Sequence, residues 1–346
     1  MNFDFSEDQK FLGNEARKFL EAECPMTAVR LVLNDDDVSH NETVWNKVVE
    51  MGWLGTAIPE EHGGLGLGLL EVCVLAEEMG RVLAPVPWAS TVYFFTEALK
   101  LAGSNEQQAE ILPRIVSGDV VGCYAASEGP GNPAADTLKT TFDGSTLSGT
   151  KVPVTDGDIA THAVVLAKEG SGASLVLVDL SGAGVTRKTL STLDPTRGHA
   201  ELTFDKTPGV RLGAAGDGAS LNDQLMDKVA VLLAFEQLGG ASRALEMAKE
   251  YALERYAFGR PIAGNQAIKH KLGPVDRCPG NAGSRCRRPR GRVGSLLVRL
   301  EREHPDPWRH GLHLGGGLPP LLPPRQAARR AGRWPEGLER ETRACS

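Results

Sequence analysis

Long apolar runs are missing from this chain. No stretch approaches the roughly 18 apolar residues that a membrane-spanning helix needs, so no span is expected. Paired cysteines are missing too. Cys24, Cys73, Cys123, Cys278, Cys286 and Cys345 form no Cys-x-x-Cys pair and no ligand-like spacing with histidine. That argues against a disulfide framework or a zinc site and predicts unpaired thiols in a reducing, cytoplasmic setting, with no metal centre. The first residues, Met1-Asn-Phe-Asp-Phe-Ser-Glu-Asp8, are acidic and lack the apolar core of a secretory leader, so no leader is expected.

Other residue types are missing from only part of the chain. Beyond Leu272 there is no Lys, Ile, Phe, Tyr or Met, and Arg, Pro, Gly and Leu take over. The formal net charge of -6 conceals the same break. Residues 1–272 hold 23 Lys and Arg against 37 Asp and Glu, a net of -14. Residues 273–346 hold 15 Arg, no Lys and 7 acids, a net of +8. A basic tail can be the footprint of nucleic-acid binding. The origin of the tail, argued below, removes most of that reading, and no nucleic-acid partner is expected.

What is present before the break reads as an ordinary globular protein, and 346 residues can hold two or three units with real cores. Ser6-Glu-Asp-Gln9 has the capping-box pattern, and Phe11, Leu12, Ala16, Phe19 and Leu20 follow at helical spacing until Pro25. A second helix fits Asn41 to Met51, and others fit about 69–82, 91–103 and 105–116. The pattern changes near Val120. Thr150-Lys-Val-Pro-Val-Thr155, Ala163-Val-Val-Leu-Ala167, Ser174-Leu-Val-Leu-Val-Asp-Leu180, Glu201-Leu-Thr-Phe204 and Gly209-Val-Arg-Leu212 read as strands. A long helix then fits Asn222 to Arg255, with Leu238, Ala241, Leu245, Ala248 and Ala252 on one face. The expected organisation is an α+β multidomain chain. It has an all-α domain over 1–118, a middle β domain over 119–221, the start of a C-terminal helical bundle over 222–272 and a disordered Arg/Pro/Gly-rich tail over 273–346.

Four segments, in this order, carry a resemblance to the acyl-CoA dehydrogenases. They are Trp45 to Gly68, with Gly52-Trp-Leu-Gly55 and Pro59-Glu-Glu-His-Gly-Gly64; Gly122-Cys-Tyr-Ala-Ala-Ser-Glu128; Gly149-Thr-Lys-Val-Pro-Val-Thr155; and Arg255-x-x-Phe-Gly-Arg260 with Gln266. The resemblance spans residues 1–272. It implies FAD as cofactor and oxidation of an acyl-CoA thioester to the trans-2-enoyl-CoA, a carboxylate removing the α-proton while the β-hydrogen leaves as hydride. By the same resemblance Tyr124, Ala126 and Ser127 line the isoalloxazine, and Thr155 bonds near its N5. Arg255, Phe258 and Gln266 belong to the signature that reaches the cofactor diphosphate of a neighbouring subunit, a role that suits a bidentate guanidinium. The plainer readings stay open: Ser127 and Thr155 as polar strand ends, and Arg255 as a solvated helix-end arginine. The resemblance further implies a homo- or hetero-oligomer and an electron-transfer-flavoprotein-like acceptor.

The chain also departs from the family. Ser127-Glu-Gly-Pro-Gly-Asn-Pro133 stands where a Thr-Glu-Pro and Gly-Ser-Asp run is usual, and the flavin-shielding aromatic is replaced around Pro153. At one family position for the catalytic base this chain has Val229, which cannot take a proton. Glu236 lies two turns along on roughly the same face and is the candidate base, its plainer reading being a solvated or core-edge glutamate. A non-catalytic or degenerate member without a functional base is therefore the alternative.

The second family position for the base falls in the tail. Reading the codons for Glu303 to Ala328 one base later permits, without a gap, the string NIQTHGGMGFTWEADCHLYYRRAKLL, which closely matches the late helical segment of this family. This predicts that residues from about 273 onward are a frameshifted reading of an acyl-CoA dehydrogenase gene. The Arg/Pro/Gly bias then follows from GC-rich codons read out of phase.

Overall fold

A computed structural model describes residues 5–35, 38–131 and 133–276. The expected tail lies outside the described residues from position 277 onward. Helix α1 (Glu7–Glu23) starts at Ser6, whose hydroxyl accepts the Gln9 N–H at 3.1 Å while the Gln9 side chain accepts the Ser6 N–H at 2.9 Å. These two bonds satisfy amides that a helix start otherwise leaves open. Helix α2 (Met26–Asn34) follows at once. The sequence pattern does not announce this helix, because Pro25 reads as the terminator of α1; here it also stands at the N-cap of α2. Asn41 caps α3 (Glu42–Glu50), and α4 (Leu69–Val82) is buried along most of its length.

The helix expected over 91–103 is two pieces. Ala89–Thr96 is a wide π-helical run, nearly all of it buried, and continues into α5 (Glu97–Ala102). Helix α6 (Asn105–Val116) completes this helical region. Gly122, at the head of strand β1 (Gly122–Ala125), packs directly against the Phe95 ring, where any side chain would collide.

The β region contains β2 (Thr141–Phe142), β3 (Thr146–Thr155), β4 (His162–Glu169), β5 (Gly172–Asp179), β6 (Val185–Thr189), β7 (His199–Pro208) and β8 (Val210–Leu212). Their order across the sheet is β6-β7-β3-β2-β4-β5-β8, with β1 joined in parallel to β4, Tyr124 opposite Val164. The first six residues of β4 are all buried because both faces are covered. Val164 and Leu166 pack into the helical core, while Ala163, Val165 and Ala167 point into a separate β core with Val176, Val178, Leu202 and Phe204. Period-two alternation thus supplies two cores from one apolar strand. The polar edge strand β6, Val-Thr-Arg-Lys-Thr, carries no such signal.

Helix α7 (Gly218–Glu254) is 37 residues long. Leu225, Val229, Leu232 and Phe235 of its first half are buried. It crosses α4 at very short range: a methyl at Gly80 or Gly239 would strike backbone carbonyls of the facing helix. Past that crossing Met247, Tyr251 and Leu253 are exposed. A short hairpin, β9 (Tyr256–Ala257) and β10 (Arg260–Pro261), leads into α8 (Gln266–Asp276). No helix among the described residues is long and apolar enough to cross a membrane.

Candidate functional site

The sequence-predicted residues fall into three places. Tyr124, Ala126 and Ser127 lie at and just past the end of β1, which runs on beside β3, and Thr155 is the last residue of β3. Beyond β1 the chain runs beside β3: Val152 N–H donates to the Ser127 carbonyl at 2.9 Å and Gly129 N–H donates to the Val152 carbonyl at 2.8 Å. Ala126, Ser127 and Thr155 are half-buried there. The Ser127 hydroxyl donates to the Gly129 carbonyl at 3.2 Å, and the Thr155 hydroxyl lies 3.4 Å from His199 Nε2. Ala126 packs against the helical core, while Ala125 points into the β core. Tyr124 Oη donates to Asn222 Oδ1 at 2.8 Å, and its ring stacks on Phe94 at 6.0 Å, tying the strand end to the start of α7. Burial pushes the Tyr124 phenol well up, so it stays a hydrogen-bond donor.

Beside these residues lies a buried ion pair that sequence reasoning missed. Lys151 is fully buried in β3, and its Nζ donates to the Ala126 carbonyl at 3.1 Å and to Glu128 Oε1 at 2.8 Å. The Glu128 carboxylate also accepts the Lys139 N–H at 2.7 Å and the Thr140 N–H at 2.9 Å. Burial alone would raise this carboxyl, but the bonds from Lys151, Lys139 and Thr140 outweigh it and hold it down at about 2. Burial lowers Lys151, and Glu128 opposes that. The signal in the sequence is a lysine inside a strand, with nothing beside it to announce its partner.

Glu236, the candidate base, lies in a second place. It sits on α7 beside the α4 crossing and pairs with the Arg197 guanidinium, which precedes β7. Its Oε2 is buried without a hydrogen-bond partner among the described residues. Arg197 is raised: burial opposes its charge, and the Glu236 and Asp156 carboxylates override it. Nearby, Ser90 Oγ donates to Asp156 Oδ2 at 2.5 Å, and Trp88 Nε1 donates to Tyr93 Oη at 2.8 Å. Burial pushes the Asp156 carboxyl up to about 7, despite the Ser90 bond and the Arg197 charge. Val229 is 2% exposed and faces the helical core. None of Arg197, Asp156, Ser90 and Tyr93 was singled out from the sequence, because their meeting is purely tertiary.

The third place holds Arg255, Phe258 and Gln266. All three are exposed, and Phe258 stands fully in solvent at a positive φ of 53°. The 33 residues of helix from Asn222 to Arg255 put roughly 50 Å between the Tyr124 contact and this end. One chain therefore does not bring Arg255, Phe258 and Gln266 to Ser127 and Thr155.

Residues 6–119 match the family model for the acyl-CoA dehydrogenase N-terminal domain, and residues 216–277 match that for the acyl-CoA dehydrogenase C-terminal domain. Acyl-CoA dehydrogenase FadE27 of Mycobacterium tuberculosis is 32% identical over 277 residues, covering 79% of this chain and 72% of that protein. Among solved structures, a variant of the Tcur3481-Tcur3483 steroid ACAD is 34% identical with a TM-score of 0.70, over 78% of this chain and 73% of its own. An acyl-CoA dehydrogenase from Bacillus anthracis, complexed with FAD, is 26% identical with a TM-score of 0.71, over 79% of this chain and 48% of its own.

Proposed function

The chain belongs to the acyl-CoA dehydrogenase family, and from that premise we propose that its strand-end site holds the flavin of FAD, with an acyl-CoA thioester as substrate. The observation that carries the reading is the placing of half-buried Ala126 and Ser127 beside β3, which ends at half-buried Thr155. Two hydroxyls and small side chains at strand ends suit a flat ring with polar atoms along its rim. FAD would supply the hydride acceptor for the β-hydrogen of the acyl chain. The Ser127 hydroxyl, bonded to the Gly129 carbonyl, and the Thr155 hydroxyl, near His199, would be the side-chain groups offered to hold its ring. Tyr124 stays protonated and holds the strand end to α7.

The α-proton still needs an acceptor. Val229 has none to offer. Taking a proton on Glu236 would break its ion pair and leave Asp156 as the remaining carboxylate near the part-buried Arg197 guanidinium, which is costly. This specific arrangement favours a second reading, that the chain keeps the cofactor site and turns substrate over slowly or not at all. The distance to Arg255, Phe258 and Gln266 supports their serving the cofactor of a neighbouring subunit, so the complete site belongs to an oligomer. An electron-transfer-flavoprotein-like acceptor would reoxidise the flavin. The frameshift from about residue 273 is part of this proposal, because it removes the segment that holds the family's second position for the base.

The test is reconstitution with FAD, read by flavin absorbance and by equilibrium dialysis. The proposal expects stoichiometric but weak uptake that the Ser127→Ala, Thr155→Ala double variant reduces. Uptake that this variant leaves unchanged would move the cofactor elsewhere.

A further inference from the structure

We propose that Lys151 and Glu128 are positioning residues for the cofactor: together they set the backbone of Ala126 and Ser127 on which the flavin ring would lie, and they keep the ground beneath it electrically neutral. The proposal rests on the reading above that the ring occupies this edge. Its basis is geometric. A fully buried ammonium binds the carbonyl of Ala126 at 3.1 Å and the side chain of Glu128 at 2.8 Å, so it grips the chain on both sides of Ser127. The same carboxylate takes the amides of Lys139 and Thr140 at 2.7 and 2.9 Å and so anchors the far end of the connection to β2. A lysine burying its whole side chain inside a strand is expensive unless its charge is matched. Here the match is one to one, and it lies one residue from the edge where the ring would rest.

Two effects separate positioning from plain structural support. The first is affinity. Removing either partner frees the Ala126–Ser127 backbone and should weaken FAD binding about tenfold, as loss of an orienting partner behind a bound group commonly does. The second is the sign of the electrostatic change. Glu128→Gln leaves a buried positive charge near the ring, which favours the electron-rich reduced flavin and raises its midpoint potential. Lys151→Met leaves a buried negative charge and lowers that potential. The double variant Lys151→Met, Glu128→Gln restores neutrality, so its potential returns toward that of the unmodified protein while its affinity stays weak. A purely structural pair would weaken binding in all three and move the potential in no ordered direction.

The experiment is FAD affinity by fluorescence quenching and midpoint potential by dye-coupled reduction, on the full chain and the three variants, with far-UV circular dichroism to confirm folding. Opposite shifts in the single variants and recovery in the double variant are expected. Shifts of the same sign, or none, overturn the proposal. Should the single variants fail to fold, hydrogen exchange on the unmodified chain decides it: FAD should slow the Lys139 and Thr140 amides about tenfold, because a fixed Ala126 steadies the clamp. Unchanged exchange with FAD bound overturns the clamp alone. No uptake of FAD by the unmodified chain overturns the reading on which the clamp rests, and the clamp with it.

Discussion

At the scale of single residues, the described part of the chain places several charges where water cannot reach, and their titration is predictable. Asp156 is the clearest. Burial raises its folded carboxyl to about 7 from an ordinary 3.8, so the folded state binds this proton more tightly than the unfolded chain. Its contribution is fully present below pH 4 and is lost as pH rises towards and through 7. Asp156→Asn should therefore flatten the stability profile, gaining on the order of a few kcal/mol over the unmodified protein at pH 8 and nothing at pH 3. Urea unfolding across that range checks it; an unchanged slope contradicts it. Glu128 behaves oppositely. Its carboxyl is held at about 2, so its stabilisation is present above the ordinary carboxylate range and is lost as pH falls through 2. Glu128→Gln strands the buried Lys151 and should cost about 3 kcal/mol at pH 7, a difference that urea titrations should find shrinking towards pH 2.

These residues also mark where the sequence stops being legible. Tyr124, Ala126, Ser127 and Thr155 are legible because two short motifs carry them, and these fall at and just past the ends of β1 and β3. Lys151 and Glu128 lie inside the same motifs but were passed over, since a lone Lys in a strand does not announce its partner. Arg197, Asp156 and Glu236 come from three elements, and only the packing of α7 against the β region shows that Glu236 arrives already paired. Periodicity could put Glu236 on a face; it could not say that the face holds an arginine.

At the scale of elements, apolar spacing and caps located most helices and the long strands. It failed where one signal had two meanings or where packing overrode it. Pro25 both closes α1 and opens α2. The π-helical run at Ala89–Thr96 is apolar nearly all round and so carries no facial pattern to read. The polar edge strand β6 has nothing to alternate against. The α4–α7 crossing packs the long helix onto the first helical region, and two glycines permit it. Gly80→Ala and Gly239→Ala should each cost about 1–3 kcal/mol by forcing the helices apart. Both should also weaken FAD uptake, because α7 carries Asn222, the partner of Tyr124. Denaturant midpoints shifted by less than a few tenths of a kcal/mol would show that the crossing is looser than described.

At the scale of the whole molecule, the account joins a cofactor edge to a missing proton acceptor. Ser127 and Thr155 lie in the β region and Arg255, Phe258 and Gln266 roughly 50 Å away along α7, which supports the proposal that a working centre is shared between subunits. The exposed Met247, Tyr251 and Leu253 on that distal half of α7 fit a surface that expects company. The frameshift proposed for residues beyond about 273 is checked by the nucleotide sequence. The shifted frame should stay open through the codons for Glu303 to Ala328 and encode the helical segment, and stop codons there would refute it.

The central claim is that this chain retains an acyl-CoA dehydrogenase flavin site without a poised base. The measurement that reaches it most directly is anaerobic addition of a panel of acyl-CoA thioesters to the FAD-reconstituted protein, followed by flavin absorbance. The account predicts that the oxidised band persists on the timescale of minutes, with at most a small perturbation as thioesters bind. Rapid bleaching with any acyl-CoA, abolished by Glu236→Gln, would contradict it and would establish the Arg197-paired carboxylate as the proton acceptor.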